Sequence, residues 1–284
     1  MYFIKGGKEM LDILKAIIFG IVEGITEWLP ISSTGHLIIL EELLKLNQGD
    51  AFFEMFQVVI QLGAILAVVV IYFHKLNPFS PKKTQKQRMM TWQIWIKVII
   101  GCLPAAVVGL LFDDWIDKTL YHWYVVALML IVYGILFIIV ENYQKGKTPQ
   151  VTKFSQLTIP MILIIGVFQM LAMIPGTSRS GATIVGALMI GVSRSVAAEY
   201  TFFLAIPVMF GASLLKLIKF GFSFTAMQVA VLLVGMVVSF AVSIVAIKFL
   251  MSYIRKNDFK VFGYYRIVLG VIVFLFFGIQ ALLA

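Results

Sequence analysis

Fourteen residues, Glu23 to His36, read Glu-Gly-Ile-Thr-Glu-Trp-Leu-Pro-Ile-Ser-Ser-Thr-Gly-His inside an otherwise apolar run from Leu11 to Leu46. Two carboxylates, four hydroxyls and an imidazole are expensive in such surroundings, and ionisable groups at membrane depth are kept for function. A second polar stretch, Gln169 to Thr183, reads Gln-Met-Leu-Ala-Met-Ile-Pro-Gly-Thr-Ser-Arg-Ser-Gly-Ala-Thr. The two overlay without a gap at an offset of 146 residues: Gly20 falls on Gly166, Glu23 on Gln169, Ser32 on Ser178, Thr34 on Ser180 and Gly35 on Gly181.

Glu23 and Glu27 are four residues apart, so on a helix they share a face. Adjacent carboxylates persist if a cation sits between them or if one holds a proton. The first arrangement makes a Mg²⁺ or Ca²⁺ site shared with a phosphate. The second makes a general acid or base. The plainer alternative is pairing with helix-end donors or with Arg179. Pro30 ends one half-helix, hydroxyls cap the next, and Gly35 permits the tight turn between them. Capping accounts for one of Ser32, Ser33 and Thr34. Three hydroxyls in a row, at a helix start whose N–H groups attract anions, exceed what a cap needs. His36 follows at once and is assigned proton transfer or phosphoryl contact, against the alternative of a merely packed ring.

In the second stretch, Arg179 needs an anionic partner, and its planar fork suits phosphate. The alternative is an ion pair with Glu23 or Glu27. The halves are also unequal, since Met173 stands where the first has Glu27 and Ala182 where it has His36. One half keeps the acids and base, the other the cation. Facing each other, they would make one site for a phosphate ester carried on a lipid.

The elements that position these stretches follow from composition. The chain has 284 residues, 61% hydrophobic and 13% charged, with a mean hydropathy of +0.99. A soluble domain carries about 25% charged residues, so this is a polytopic membrane protein. Six apolar runs can span: about 55–73, 93–112, 124–140, 196–218, 226–250 and 262–284. Two more, 11–46 and 157–192, are interrupted by Pro30 with Gly35 and by Pro175 with Gly176. Broken segments at matching places point to re-entrant hairpins and a binding site. The net charge of +9 falls in short loops, which favours the cytoplasmic bilayer surface over nucleic acid.

Loop charge gives direction. Lys75, Lys82, Lys83, Lys86 and Arg88 share one loop. Lys145, Lys147 and Lys153 share another, and Arg255, Lys256 and Lys260 a third; all three are expected in the cytoplasm. The loop 113–122, with Asp113, Asp114 and Asp117 against Lys118, is expected outside. The first hairpin then enters from outside and the second from inside, each followed by three spans. The result is an all-α inverted-topology repeat of residues 1–150 and 151–284. Glu54 with Glu199, Leu62-Gly63-Ala64 with Phe210-Gly211-Ala212, and more weakly Gly134 with Gly270, extend the match. Lys5, Lys8 and Lys15 would lie outside, against the charge bias. No cleavable signal segment is expected, because no small-residue cleavage site follows the apolar start. Cys102 reads as a small buried hydrophobe, and Trp28, Trp92 and Trp115 as interface anchors or packing. Rossmann glycines, a P-loop, Cys/His metal spacing and nucleic-acid modules are not found.

The motifs resemble the bacitracin-resistance type of undecaprenyl-diphosphate phosphatase. Glu23 to Glu27 followed by Leu-Pro-Ile-Ser-Ser-Thr-Gly-His at 29–36 is similar to its first motif. Pro175 to Gly181, with Thr183 behind it, is similar to its second. The stretches 58–67 and 265–270 are similar too, and the likeness covers essentially the whole chain. Gln57 stands where an acid is expected. The resemblance implies hydrolysis of the terminal phosphate of a C55 isoprenoid diphosphate, with a divalent cation, in the bacterial plasma membrane. It also implies a site opening outward, recycling of the carrier for wall polymers, and protection against bacitracin. Roles that fit are Arg179, Ser178, Ser180, Thr183, Ser32 and Thr34 on the phosphates, and Glu23 and Glu27 on the cation or on protons. Ser33 is the candidate nucleophile and His36 the candidate acid or base, with direct attack by water as the rival. The rival class is a lipid-phosphate transporter or flippase using the same midplane site. The oligomeric state is left open, a homo-oligomer included.

Overall fold

The computed structural model describes residues 2–283; the side chains of residues 2–9, 113, 114 and 117 lie outside the description. The chain is all-helical. Its elements are α1 (Tyr2–Thr26), α2 (Ser33–Leu43), α3 (Asp50–Ile71), α4 (Phe73–Leu76), α5 (Gln85–Leu120), α6 (Trp123–Gln144), α7 (Ile159–Leu171), α8 (Arg179–Met189), α9 (Arg194–Phe220), α10 (Ala226–Tyr253) and α11 (Lys260–Leu283). Among the described residues, six helices are long and apolar enough to cross a membrane: α3, α5, α6, α9, α10 and α11. They fall on the six expected runs. Their outer faces carry exposed large apolar side chains, such as Leu66, Leu103, Ile139, Leu214, Val237 and Val268. In a soluble protein such coverage would be untenable.

The two interrupted runs break where proline and glycine predict. Residues 27–32 separate α1 from α2, and residues 172–178 separate α7 from α8. At about 1.5 Å per residue, the 13 residues of α7 and the 11 each of α2 and α8 are too short to cross a hydrocarbon core of about 30 Å. Each pair returns beside its own start. Asp12 accepts from the Asn47 N–H at 3.2 Å and from Gln48 Nε2 at 2.7 Å, and Lys15 donates to the Lys45 carbonyl. At the other end of the molecule, Val151 N–H donates to Gly191 O and Ser193 N–H to Val151 O. The same end holds Lys75–Glu199 at 2.7 Å. There Glu141, buried, accepts from Arg194 Nε at 2.8 Å and from Phe259 N–H at 3.0 Å.

The expected outer loop 113–122 is corrected. Helix α5 continues to Leu120, so only Tyr121 and His122 separate it from α6. The apolar run stops at Phe112, but charged residues there are tolerated in a helix once it has left the bilayer, so hydropathy marks the membrane edge rather than the helix end. Lys5 and Lys8, like the side chains of Asp113, Asp114 and Asp117, lie outside the described side chains.

Helices pack backbone to backbone where glycine allows it. A Cβ on Gly63 would lie 2.1 Å from Met236 O, so α3 and α10 touch main chain to main chain there. The α6–α11 crossing is reciprocal. A Cβ on Gly134 would meet Gly263 O at 2.7 Å, and one on Gly263 would meet Gly134 O at 2.7 Å.

Candidate active site

The two helix breaks meet in the middle of the bundle. Each second half-helix opens on the same strained cap. Ser32 (φ 72°) and Ser178 (φ 69°) are the only non-glycine residues in the left-handed region among the described residues. Each hydroxyl accepts from the N–H three residues on, Gly35 at 3.3 Å and Gly181 at 3.2 Å. The cap bond offsets part of a strain of about 1–3 kcal/mol per residue.

Glu27 sits one residue past α1, its N–H still bonded to Glu23 O at 3.0 Å. Glu23 and Glu27 therefore keep the four-residue helical spacing. Arg179, the first residue of α8, reaches across: Nη2 donates to Glu27 Oε1 at 3.0 Å and Nη1 to Thr201 O at 2.8 Å. Its guanidinium lies 5.9 Å from the Trp28 ring centre. The other Glu27 oxygen accepts from Ser33 Oγ at 3.2 Å. Both Glu27 oxygens are thus engaged, and the plainer alternative for this pair, a direct ion pair, is what the structure shows. Glu23 differs. It is fully buried, and both its oxygens lack a hydrogen-bond partner, as does Arg179 Nε.

The hydroxyls divide by task. Ser180 Oγ donates to Glu27 O at 3.1 Å, tying one tip to the other. Thr183 Oγ1 lies 2.8 Å from Arg179 O and 2.7 Å from Thr201 Oγ1, so it braces the start of α8. Ser33 and Thr34 are half-buried on the first turn of α2. His36 Nδ1 lies 2.7 Å from Ser32 O and Nε2 2.7 Å from Tyr265 Oη. Trp28 is fully buried, edge-on to Phe202. It is packing rather than an interface anchor, because it lies beneath the Arg179 guanidinium; Trp92 and Trp115 are exposed.

Three residues received no role from the sequence, although two of them lie in the stretch 265–270 that resembles the family. Thr201 receives Arg179 through its carbonyl, and Tyr265 meets His36. Arg266, fully buried, donates to the carbonyls of Gly176 (2.9 Å), Thr177 (2.8 Å), Pro30 (3.4 Å), Met129 (3.3 Å) and Leu130 (3.4 Å). One guanidinium thus staples both tips to α6. Gly181 leaves room for it, since a Cβ there would stand 2.9 Å from Arg266 Nη1. An arginine inside the last apolar run was the available signal.

Among the described residues no group of three or more His, Cys, Asp or Glu side chains could hold a metal ion. Two carboxylates supply oxygen donors only, which suits a hard divalent cation completed by phosphate oxygens and water. The two unpartnered oxygens of Glu23 fit that need.

These features define a helical membrane protein with a buried cluster of acid, hydroxyl and guanidinium groups where its two helix breaks meet. The profile of the family described as "Bacitracin resistance protein BacA" matches residues 16–272, and the chain belongs to that family. It is 60% identical to the undecaprenyl-diphosphatase of Desulfitobacterium hafniense, over 96% of this chain and 99% of the relative. It is 62% identical to that of Acetivibrio thermocellus, over 94% and 98%, and 59% identical to that of Enterococcus faecalis, over 92% and 96%.

Proposed function

We propose that the chain is an integral phosphatase of the bacterial plasma membrane that hydrolyses undecaprenyl diphosphate to undecaprenyl phosphate and inorganic phosphate. In that role it recycles the lipid carrier for cell-wall synthesis and confers bacitracin resistance. The observation that carries the reading is the contact of Glu27 with Arg179 between the two hairpin tips, in a chain whose relatives of about 60% identity bear that enzyme's name. Nothing comparable supports the flippase alternative.

The architecture is read as an inverted-topology repeat of residues 1–150 and 151–284, each a re-entrant hairpin plus three spans. Three observations support it: the matched caps at Ser32 and Ser178, the reciprocal crossing at Gly134 and Gly263, and exchanged partners, α1 packing on α10 as α7 packs on α5. The charge of the basic loops favours a cytoplasmic position for the end bearing Lys75 and Arg194.

Arg179 holds the terminal phosphate, using Nε and the N–H groups it releases from Glu27, and the α2 and α8 N-termini with Thr34 add donors. Ser32, Ser178, Ser180 and Thr183 shape the tips that present those donors. Glu23 and Glu27 would hold a Mg²⁺ or Ca²⁺ ion, which supplies charge neutralisation on the phosphate oxygens. Ser33 Oγ attacks the terminal phosphorus while Glu27 takes its proton. The bond to the bridging oxygen breaks, and undecaprenyl phosphate leaves with that proton. Water then attacks the phosphoserine, giving its proton through Glu27 to Ser33 Oγ and releasing inorganic phosphate. His36, with Nδ1 committed to Ser32, offers Nε2 for proton transfer.

The test is phosphate release from undecaprenyl diphosphate by purified protein in detergent, with and without a chelator. Release that stops on chelation and returns with Mg²⁺ or Ca²⁺ is expected. Lipid movement in sealed vesicles with no phosphate released would overturn the reading.

A further inference from the structure

Tyr265 and Arg266 are neighbours on α11, outside both polar stretches. Arg266 fixes the helix against both hairpin tips through the carbonyls of Pro30, Gly176 and Thr177. With α11 held, the Tyr265 hydroxyl meets His36 Nε2 at 2.7 Å, and the two rings stack at 5.6 Å with 13° between their planes. The other ring nitrogen faces the Ser32 carbonyl at 2.7 Å. A carbonyl can only accept, so Nδ1 carries a hydrogen. In the neutral ring Nε2 is then a bare lone pair, and the Tyr265 O–H donates to it.

We propose that Tyr265 is a positioning residue of the active site that acts through His36, holding the neutral imidazole as the Nδ1–H tautomer with Nε2 as its only basic atom. When Nε2 gains a proton the bond reverses. The phenol oxygen accepts, and its hydrogen turns outward, which the 46% exposure of Tyr265 permits. One contact thus serves both protonation states without moving the ring. A histidine held by partners on both nitrogens has its orientation and tautomer set by them. The carbonyl contact also restrains Ser32, the residue with φ 72°, so the ring and the strained cap position each other.

The kinetic arm of the test rests on the phosphatase reading; the spectroscopic arm does not. Nitrogen-15 spectra of histidine-labelled protein carry three imidazoles, His36, His74 and His122, and His36→Gln identifies the first. The expected wild-type signal for neutral His36 is a protonated Nδ1 and a hydrogen-bonded, unprotonated Nε2. In Tyr265→Phe the Nε2 resonance should move toward that of an unbonded nitrogen. In the same variant kcat should fall between about tenfold and a hundredfold, the range for losing a partner that orients a functional histidine, with KM unchanged. A wild-type His36 carrying its proton on Nε2 overturns the proposal, and this is readable even if Tyr265→Phe does not fold. A folded Tyr265→Phe enzyme with wild-type kcat overturns it whatever its spectrum. Absence of phosphate release by the wild type would instead sink the phosphatase reading and leave the spectral result standing.

Discussion

The Glu27 carboxylate receives Arg179 Nη2 at 3.0 Å, although 152 residues separate the two in the chain. Their side chains retain 7% and 11% exposure, so the contact is nearly dry. Such a pair weakens the fold if one member is removed, because the other is left buried and unpaired. The contact holds the guanidinium between the two helix breaks, where the proposed phosphate would sit.

Arg179→Ala and Glu27→Ala should each lower kcat at least about a hundredfold, the scale of losing one preorganised stabilising group. Arg179→Lys should fail similarly, since an ammonium cannot reach Thr201 O and an anion with the geometry of a planar fork. Phosphate release by protein that elutes as a single folded species in detergent measures this. Near-normal turnover in either alanine variant refutes the site.

Ser33 Oγ lies 3.2 Å from Glu27 Oε2, the geometry that the proposed nucleophile and base require. Acid quenching with substrate labelled in the terminal phosphate should trap phosphoserine at Ser33, and Ser33→Ala should abolish both the trapped label and turnover. Full activity of Ser33→Ala would assign the attack to water.

Glu23 has two buried oxygens without partners. Glu23→Gln should raise the cation concentration needed for half-maximal rate at least about tenfold. Its thermal midpoint should hold or rise, because an amide replaces a buried, unpaired carboxylate. Titrating activity with Mg²⁺ alongside a melting curve reads both; an unchanged cation requirement removes Glu23 from the metal site.

Gly176 has φ 89°, and a Cβ there would stand 2.4 Å from Val126 O. Gly176→Ala should cost roughly 3 kcal/mol or more, combining left-handed strain with overpacking against α6 backbone. Gly146→Ala, at φ 79° with nothing within 4 Å, carries the strain alone, about 1–2 kcal/mol. Unfolding in detergent should rank them in that order; equal losses would show that the tip does not press on α6.

Much of this was legible in the sequence because membranes penalise irregular backbone and charge so heavily. Pro30 and Pro175 mark both breaks, and the 146-residue offset pairs Ser32 with Ser178, the two residues that share a positive φ. The motif acids and Arg179 stood out against apolar neighbours. The hydroxyls were less legible. Ser32, Ser178, Ser180 and Thr183 look alike in sequence, and only coordinates tell a cap from a brace or from a free donor. The extent of α5 was hidden because hydropathy reports the bilayer edge and not the backbone. Tyr265 and Arg266 act across more than 200 residues on His36 and Pro30, a link that no local spacing encodes.

Arg266 is surrounded by carbonyl oxygens, and among the described residues no carboxylate pairs with it. The charge of that guanidinium is therefore balanced locally by main-chain dipoles alone, which attenuate it without cancelling it. In a medium of low dielectric what remains reaches beyond contact range, toward the helix breaks where the proposed diphosphate would sit. A monophosphate would feel that attraction less than a diphosphate, so under the proposed mechanism the reaction itself would ease release of its lipid product.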